Sequence, residues 1–98
     1  MLSSKQRAYL RAFSNGIDTI LILGKSGITS EVIRQVSEAL RAREIIKGKV
    51  LENSGMEPKQ TALEIAKETF SEVVCTIGSK FVLYKKKEKN SKLKIPRE

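Results

Sequence analysis

The hydrophobic pattern of this 98-residue chain switches repeatedly between two periods, and that switching is its strongest constraint. Apolar residues recur at helical spacing in one stretch, and a short β-branched run follows in the next. Residues 3–14 predict a first helix, with Ser3 and Gln6 at capping-box spacing, Leu2, Gln6, Tyr9, Leu10 and Phe13 on one face, and Ser4, Arg7, Arg11 and Ser14 on the other. Asn15-Gly16 should end it in the left-handed conformation. Residues 19–23 read as a compact, buried strand. A second helix is expected over 30–42, with Thr29 as N-cap and Ile28, Val32, Val36, Ala39 and Leu40 as its core stripe.

Residues 45–51 alternate as a second strand, with Ile46, Gly48 and Val50 on an apolar face and Lys47 and Lys49 on the other. After the turn signal Asn53-Ser54-Gly55, Pro58 suits the first turn of a third helix that buries Ala62, Ile65, Ala66, Thr69 and Phe70. Residues 72–77 and 80–85 form two strands joined by Gly78-Ser79, a pair that fits a type II′ hairpin. The order is α-β-α-β-α-β-β. Helix-linked strands call for parallel pairing through right-handed crossovers, closed by an antiparallel hairpin. The fold class is therefore α/β, with a four-stranded mixed sheet. Residues 1–85 make one domain, and 86–98 make a basic tail expected to be mobile, unless Leu93 and Ile95 re-anchor it.

Charge narrows the function. Nineteen Lys and Arg against eleven Asp and Glu give +8. Residues 1–49 hold nine basic and four acidic groups, 50–84 three and five, and 85–98 seven and two. Two basic flanks thus enclose a mildly acidic middle. A polyanion is the natural partner for such flanks, because bound Lys and Arg release its condensed counterions. The plainer alternative is a basic protein that is merely soluble. The chain has no His and a single cysteine, Cys75. That leaves no internal disulfide, no expected zinc site and no acid–base group tuned near neutral pH. Cys75 sits in an apolar run and is expected to be buried. No catalytic residue, cofactor, metal or small-molecule substrate is expected. Nothing reads as a signal peptide or a membrane span, so a cytoplasmic protein is the simplest expectation, and a monomer.

One short motif carries chemistry: Gly24-Lys25-Ser26-Gly27, directly after the first strand. Gly-Lys-Ser after a strand resembles half of a nucleotide-binding P-loop, but that motif needs a further glycine where Thr19 stands. Two glycines three apart instead let the backbone turn sharply and let a bulky polyanion approach. Lys25 can reach a phosphate, Ser26 offers a hydroxyl, and the loop is expected to open directly into the second helix, whose N-terminus favours anions. Gripping of nucleic-acid backbone by a GxxG loop is known physics. An ordinary tight turn is the bland reading. Arg41, Arg43, Lys47 and Lys49 tilt the balance, since with Lys25 they form a candidate basic stripe. Each alone is a common solvated charge. The few aromatics form no stacking ladder, and Phe81 and Tyr84 are expected in the core, so phosphate and sugar contacts would carry affinity.

Taken together, four segments resemble a known family. Lys5-Gln6-Arg7-Ala8-Tyr9-Leu10-Arg11, Ile22-Leu23-Gly24-Lys25-Ser26-Gly27-Ile28-Thr29, Ala42-Arg43-Glu44-Ile45-Ile46-Lys47 and Ile77-Gly78-Ser79-Lys80-Phe81-Val82-Leu83-Tyr84 look like the CRM domain, the chloroplast RNA splicing and ribosome maturation domain, in its bacterial stand-alone YhbY type. The resemblance covers residues 3–84 in order. It implies a two-layer fold similar to the C-terminal domain of translation initiation factor three, with the last strand inserted antiparallel between the second and third. It also implies binding to structured RNA and association with the precursor of the large (50S) ribosomal subunit. The RNA-binding residues it implies are Gly24, Lys25, Ser26 and Gly27, and the basic stripe read from the charges extends them to Arg41, Lys47 and Lys49. Two positions depart from the pattern. Gly48 stands where a β-branched residue is usual and should weaken its strand, and Ser79 stands where a basic residue is frequent. The rival readings are an accessory RNA-binding module of translation or RNA decay, a protein-interaction adaptor that ignores RNA, and a nucleotide-binding protein.

Overall fold

The computed structural model describes residues 2–87 together with Leu93, Ile95 and Pro96. In chain order the elements are α1 (Ser4–Ser14), β1 (Thr19–Leu23), α2 (Ser30–Arg43), β2 (Ile45–Val50), a 3-10 turn (Glu52–Ser54), α3 (Pro58–Thr69), β3 (Glu72–Ile77) and β4 (Lys80–Tyr84). The strands lie in the order β1-β2-β4-β3, with β1 parallel to β2 and β4 antiparallel to both of its neighbours. The last strand thus occupies the inserted position that the family resemblance implied. No helix among the described residues is long and apolar enough to cross a membrane.

Side-chain alternation on β2 builds two cores. Ile46 and Val50 face α2 and α3, where they join Leu23, Val36, Leu40, Ile65, Phe81 and Leu83. Ile45 faces the opposite way, where it joins Leu10 of α1 with Val74, Val82 and Tyr84. The two-layer expectation describes the sheet and its α2–α3 cover. Helix α1 adds cover on the other face. The register slips between Val73 and Cys75, which is how Val74 and Cys75 both join the α1-side core.

Local chemistry matches the expected boundaries closely. Ser3 and Gln6 form the reciprocal capping box, and the Thr29 side chain accepts from the Val32 N–H at 3.1 Å. Gly78 has φ +60° and Ser79 does not have positive φ, which suits the two-residue hairpin that pairs Ile77 with Lys80. Phe81 and Tyr84 are buried.

Six sequence expectations need correction. First, α1 does not end in a left-handed residue. Asn15 stays right-handed, and a series of tight turns follows, with Asn15, Gly16 and Ile17 N–H groups bonding to the carbonyls of Ala12, Phe13 and Ser14. Second, the faces of α1 are shifted. Ser14 is buried, its hydroxyl donating to the Arg11 carbonyl at 2.6 Å, whereas Phe13 is exposed. Third, β1 is not a buried strand. It is the sheet edge, so Leu21 and Leu23 face the core while Ile20 and Ile22 are exposed. Fourth, Phe70 does not extend the α3 stripe. It is the C-cap, at φ 57°, and the residue is 85% exposed. The left-handed turn swings residue 70 off the face that the helical period assigns it. Fifth, Cys75 is only partly buried. Burial still pushes its thiol above the ordinary value, against the pull of Arg11, Lys47 and Arg7.

Sixth, Gly48 does not weaken the sheet. A Cβ at residue 48 would stand 2.5, 2.8 and 3.0 Å from three atoms of the Phe81 ring. Glycine is the residue that lets the fully buried Phe81 lie across β2. Gly48→Ala should therefore cost about 1–3 kcal/mol by overpacking, and Phe81→Leu in the same chain should recover part of the loss. Urea unfolding of the two variants measures both effects.

The expectation of a mobile tail falls largely on residues outside those described. Among the described ones, Leu93 and Ile95 pack on the α1-side core, and the Gln6 side-chain amide donates to the Pro96 carbonyl at 3.0 Å. Removing the chain after Lys87 should thus lower Tm by several degrees, since partial burial of two aliphatic side chains contributes about 1–2 kcal/mol. An unchanged melting curve would show that these contacts contribute nothing.

Candidate nucleic-acid interface

The glycine loop begins where β1 leaves the sheet edge. The Leu51 N–H donates to the Leu23 carbonyl at 2.8 Å, which ties the end of β1 to the segment after β2. A turn closed by the Gly27 N–H and the Gly24 carbonyl, at 3.1 Å, then lifts Lys25 and Ser26 into solvent. The two glycines serve different needs. Gly27 has φ +69°, a conformation that costs other residues roughly 1–2 kcal/mol. Gly24 has no positive φ, and a Cβ there would meet only Leu51, at an ordinary 3.6 Å. The fold therefore needs glycine at 27 and merely tolerates it at 24.

The loop does not open directly into α2. Ile28, packed on the core, and Thr29, the N-cap, stand between them. Thr29 already occupies the Val32 N–H, and Glu31 places a carboxylate in the first turn, where Arg34 engages it. An anion at this helix end must share its field with Glu31, so the helix contributes less than a bare N-terminus would.

Lys47 and Lys49 project to the α1 side of the sheet, both half-buried along their stems. Lys49 pairs with Ile22 of β1, two residues before the loop, and with Lys80 of β4. Lys80 in turn pairs with Ile77. The row Ile22, Lys49, Lys80, Ile77 thus crosses the sheet beside the loop, with its two cations opposite one another and both isoleucines exposed. Like charges directly opposite repel, and a bound polyanion relieves that repulsion. One row further from the loop, Lys47 sits with Arg11 and Arg7 around Cys75, close enough for all three to act on its titration. The Arg7 guanidinium also reaches the Val73 carbonyl at 3.5 Å.

Arg41 does not join this group. It lies near the C-terminal end of α2, on the opposite side of the sheet and roughly 16 Å along the helix from Ser30 at 1.5 Å per residue. Arg43 lines the groove between α2 and the β1 edge. The stripe inferred from nearness in sequence is therefore two surfaces: the loop with Lys49 and Lys47 on one, Arg41 on the other. Sequence reasoning missed Lys80, Arg7 and Arg11 as members of the first. The signal for Lys80 was available in the hairpin register, which sets it opposite Lys49. Ser79 is half-buried, and the exposed cation of this turn is its neighbour Lys80.

Among the described residues no three His, Cys, Asp or Glu side chains gather as a metal site would require. What the arrangement offers chemically is a glycine turn, ammonium and guanidinium groups and a sheet face, which suits binding to phosphates.

Comparison with known proteins agrees with the fold. A family model for the CRS1 / YhbY (CRM) domain matches residues 2–85. The chain belongs to this family. It is 38% identical over 96 residues to the Bacillus subtilis protein named "Probable RNA-binding protein YqeI", covering 98% of this chain and 100% of that one. It is 35% identical over 98 residues to a Haemophilus influenzae protein named "RNA-binding protein", covering 99% and 97%. The solution structure of the hypothetical protein SAV1595 from Staphylococcus aureus superposes with a TM-score of 0.79 at 35% identity, over 98% of this chain and 100% of that one.

The differing roles of the two loop glycines in this CRM domain predict opposite stability effects. Gly27→Ala should lose about 1 kcal/mol through its left-handed φ. Gly24→Ala should be neutral or gain up to about 1 kcal/mol, because alanine lowers the entropy of the unfolded chain. Thermal denaturation of both variants tests the assignment.

Proposed function

We propose that this CRM domain binds RNA without catalysing a reaction, and that it acts as an assembly factor on precursor ribosomal RNA of the large subunit. The observation that carries the reading is the junction of an exposed glycine turn with the Lys49–Lys80 pair on a sheet face that presents no stacking aromatic. Phosphate and sugar contacts then supply most of the affinity. The names of the Bacillus and Haemophilus relatives support RNA as the polyanion. In this reading Gly24 lets the backbone approach, Lys25 and Ser26 meet phosphate, and Lys47, Lys49 and Lys80 extend the footprint. The protein works as a cytoplasmic monomer.

Lys25→Glu is the cleanest test, since Lys25 is exposed and makes no fold contact that the turn requires. It should weaken RNA binding about tenfold, or about 1.4 kcal/mol, at unchanged stability. Lys49→Glu and Lys80→Glu should each lower the slope of log affinity against log salt by roughly one phosphate contact. In cells, the protein should co-sediment with immature large-subunit particles, be depleted from translating ribosomes and dissociate at moderate salt. Equal abundance on mature ribosomes, or no ribosomal association at any salt, would remove the assembly role.

A further inference from the structure

The second basic surface, the one holding Arg41, carries a feature the glycine loop lacks. A cleft of about 570 Å³ lies between the C-terminal half of α2, the end of α3 and the segment after β4. Arg41, Glu68, Phe70, Lys85 and Lys86 are among its walls. With Lys87 it gathers four cations against one carboxylate.

Phe70 is out of place by every folding criterion. It is 85% exposed, so its ring contributes little to either core. It holds φ 57° at a helix C-cap, where glycine or asparagine is the unstrained choice. The conformation is held firmly, because the N–H groups of residues 70 and 71 both bond to the Ala66 carbonyl, the latter at 2.9 Å. The Thr69 hydroxyl meets that of Ser71 at 2.8 Å. A costly backbone thus presents an aromatic face to solvent.

Two of the cations near the ring are tied to the backbone. The Lys85 N–H donates to the Glu44 carbonyl at 2.9 Å, and its ammonium sits 6.0 Å from the Phe70 ring centroid. The Lys87 ammonium reaches the Ala42 carbonyl at 3.5 Å. An exposed ring with one cation over it and others close by is an arrangement that binds single-stranded nucleic acid, with a base stacking on the ring and flanking phosphates on the cations.

We propose that this cleft is a second RNA site, which takes an unpaired nucleotide: its base stacks on Phe70, and its neighbouring phosphates meet Arg41, Lys85 and Lys86. The proposal rests on the RNA-binding reading above and adds a preference that the loop surface alone would not have. The loop and its lysines grip backbone whether paired or not. The Phe70 cleft requires a base free of its duplex. The two sites sit at opposite ends of α2, so an RNA with a helix flanked by an unpaired segment can engage both.

The backbone strain supplies the test. Phe70→Gly removes the ring and the strain together, so the variant should melt no lower than the parent. Binding of the full chain is measured to a short unstructured RNA single strand carrying 2-aminopurine, and to a blunt RNA duplex of equal length. Phe70→Gly should lose about fivefold or more in affinity for the single strand, in line with the loss of one stacked base. It should lose the 2-aminopurine quenching and keep its duplex affinity. Phe70→Tyr should restore both single-strand readouts, and Lys25→Glu should weaken both RNAs. Unchanged single-strand affinity in Phe70→Gly, or an equal loss on the duplex, overturns the proposal and leaves the cleft for a protein partner. If Phe70→Gly misfolds, Lys86→Glu provides the same comparison on an exposed residue. A parent chain that binds neither RNA at low salt overturns the RNA reading itself, whereas Lys25-dependent binding without Phe70 dependence overturns only the second site.

Discussion

The ring of Phe81 fills the space where a Cβ on residue 48 would stand, and most of the architecture follows from that contact. Gly48 and Phe81 are register partners on the two central strands, β2 and β4. Strand β2 belongs to the parallel β1-α2-β2 unit, and β4 belongs to the antiparallel hairpin with β3. These halves are joined through the β2–β4 pairing and through the core that Phe81 shares with Leu23, Leu40 and Ile65. The contact also sets the register that places Lys80 opposite Lys49. A single-residue slip would turn Phe81 to the α1 side and separate the two cations. The Lys49–Lys80 row is thus a by-product of how the core closes.

Much of the fold was legible because its signals are local. Capping boxes, the Thr29 cap, the Gly78-Ser79 hairpin and the two-faced pattern of β2 each depend on a few neighbouring residues. Strand order does not, and it came from the family resemblance, not from periodicity. Two of the errors share one cause: a local rule applied where a distant contact decides. Gly48 reads as a weak strand residue until Phe81 is placed over it. The 19–23 segment reads as buried because all its members are apolar or β-branched, yet the edge position exposes Ile20 and Ile22. Phe70 continues the α3 stripe in register, but one left-handed residue is enough to turn it outward. Of the candidate site, the loop was readable as a motif. The grouping of its cations was not, because Arg41 and Lys47 are close in sequence and on opposite sides of the sheet.

The positive charge is arranged in places where the fold itself does not need it. Lys49 and Lys80 are register partners across β2 and β4, and burial raises the pKa of the Cys75 thiol while Arg11, Lys47 and Arg7 all lower it. Like charges set opposite one another on neighbouring strands repel, so the Lys49–Lys80 pairing is not one that sheet stability favours. By contrast, Arg34 is paired with both Glu31 and Glu38 on the outer face of α2, as expected of a charge whose role is to stay solvated. The contrast distinguishes cations balanced within the protein from those left to be balanced by something else.

The chain after β4 extends this logic beyond the sheet. Lys85 is bonded through its backbone to Glu44, and Lys87 reaches Ala42, so the start of this basic segment is held beside the Phe70 ring. Further on, Leu93 and Ile95 return to the α1-side core, and Pro96 accepts from Gln6. The described parts of the segment therefore lie against both covered faces of the sheet. A free tail would add only non-specific attraction that falls off over a Debye length. The contacts of Lys85 and Lys87 instead hold two cations beside an aromatic ring on the α2–α3 side. Positioned charge is more selective than free charge, because it can be met only by a partner whose own charges match its spacing.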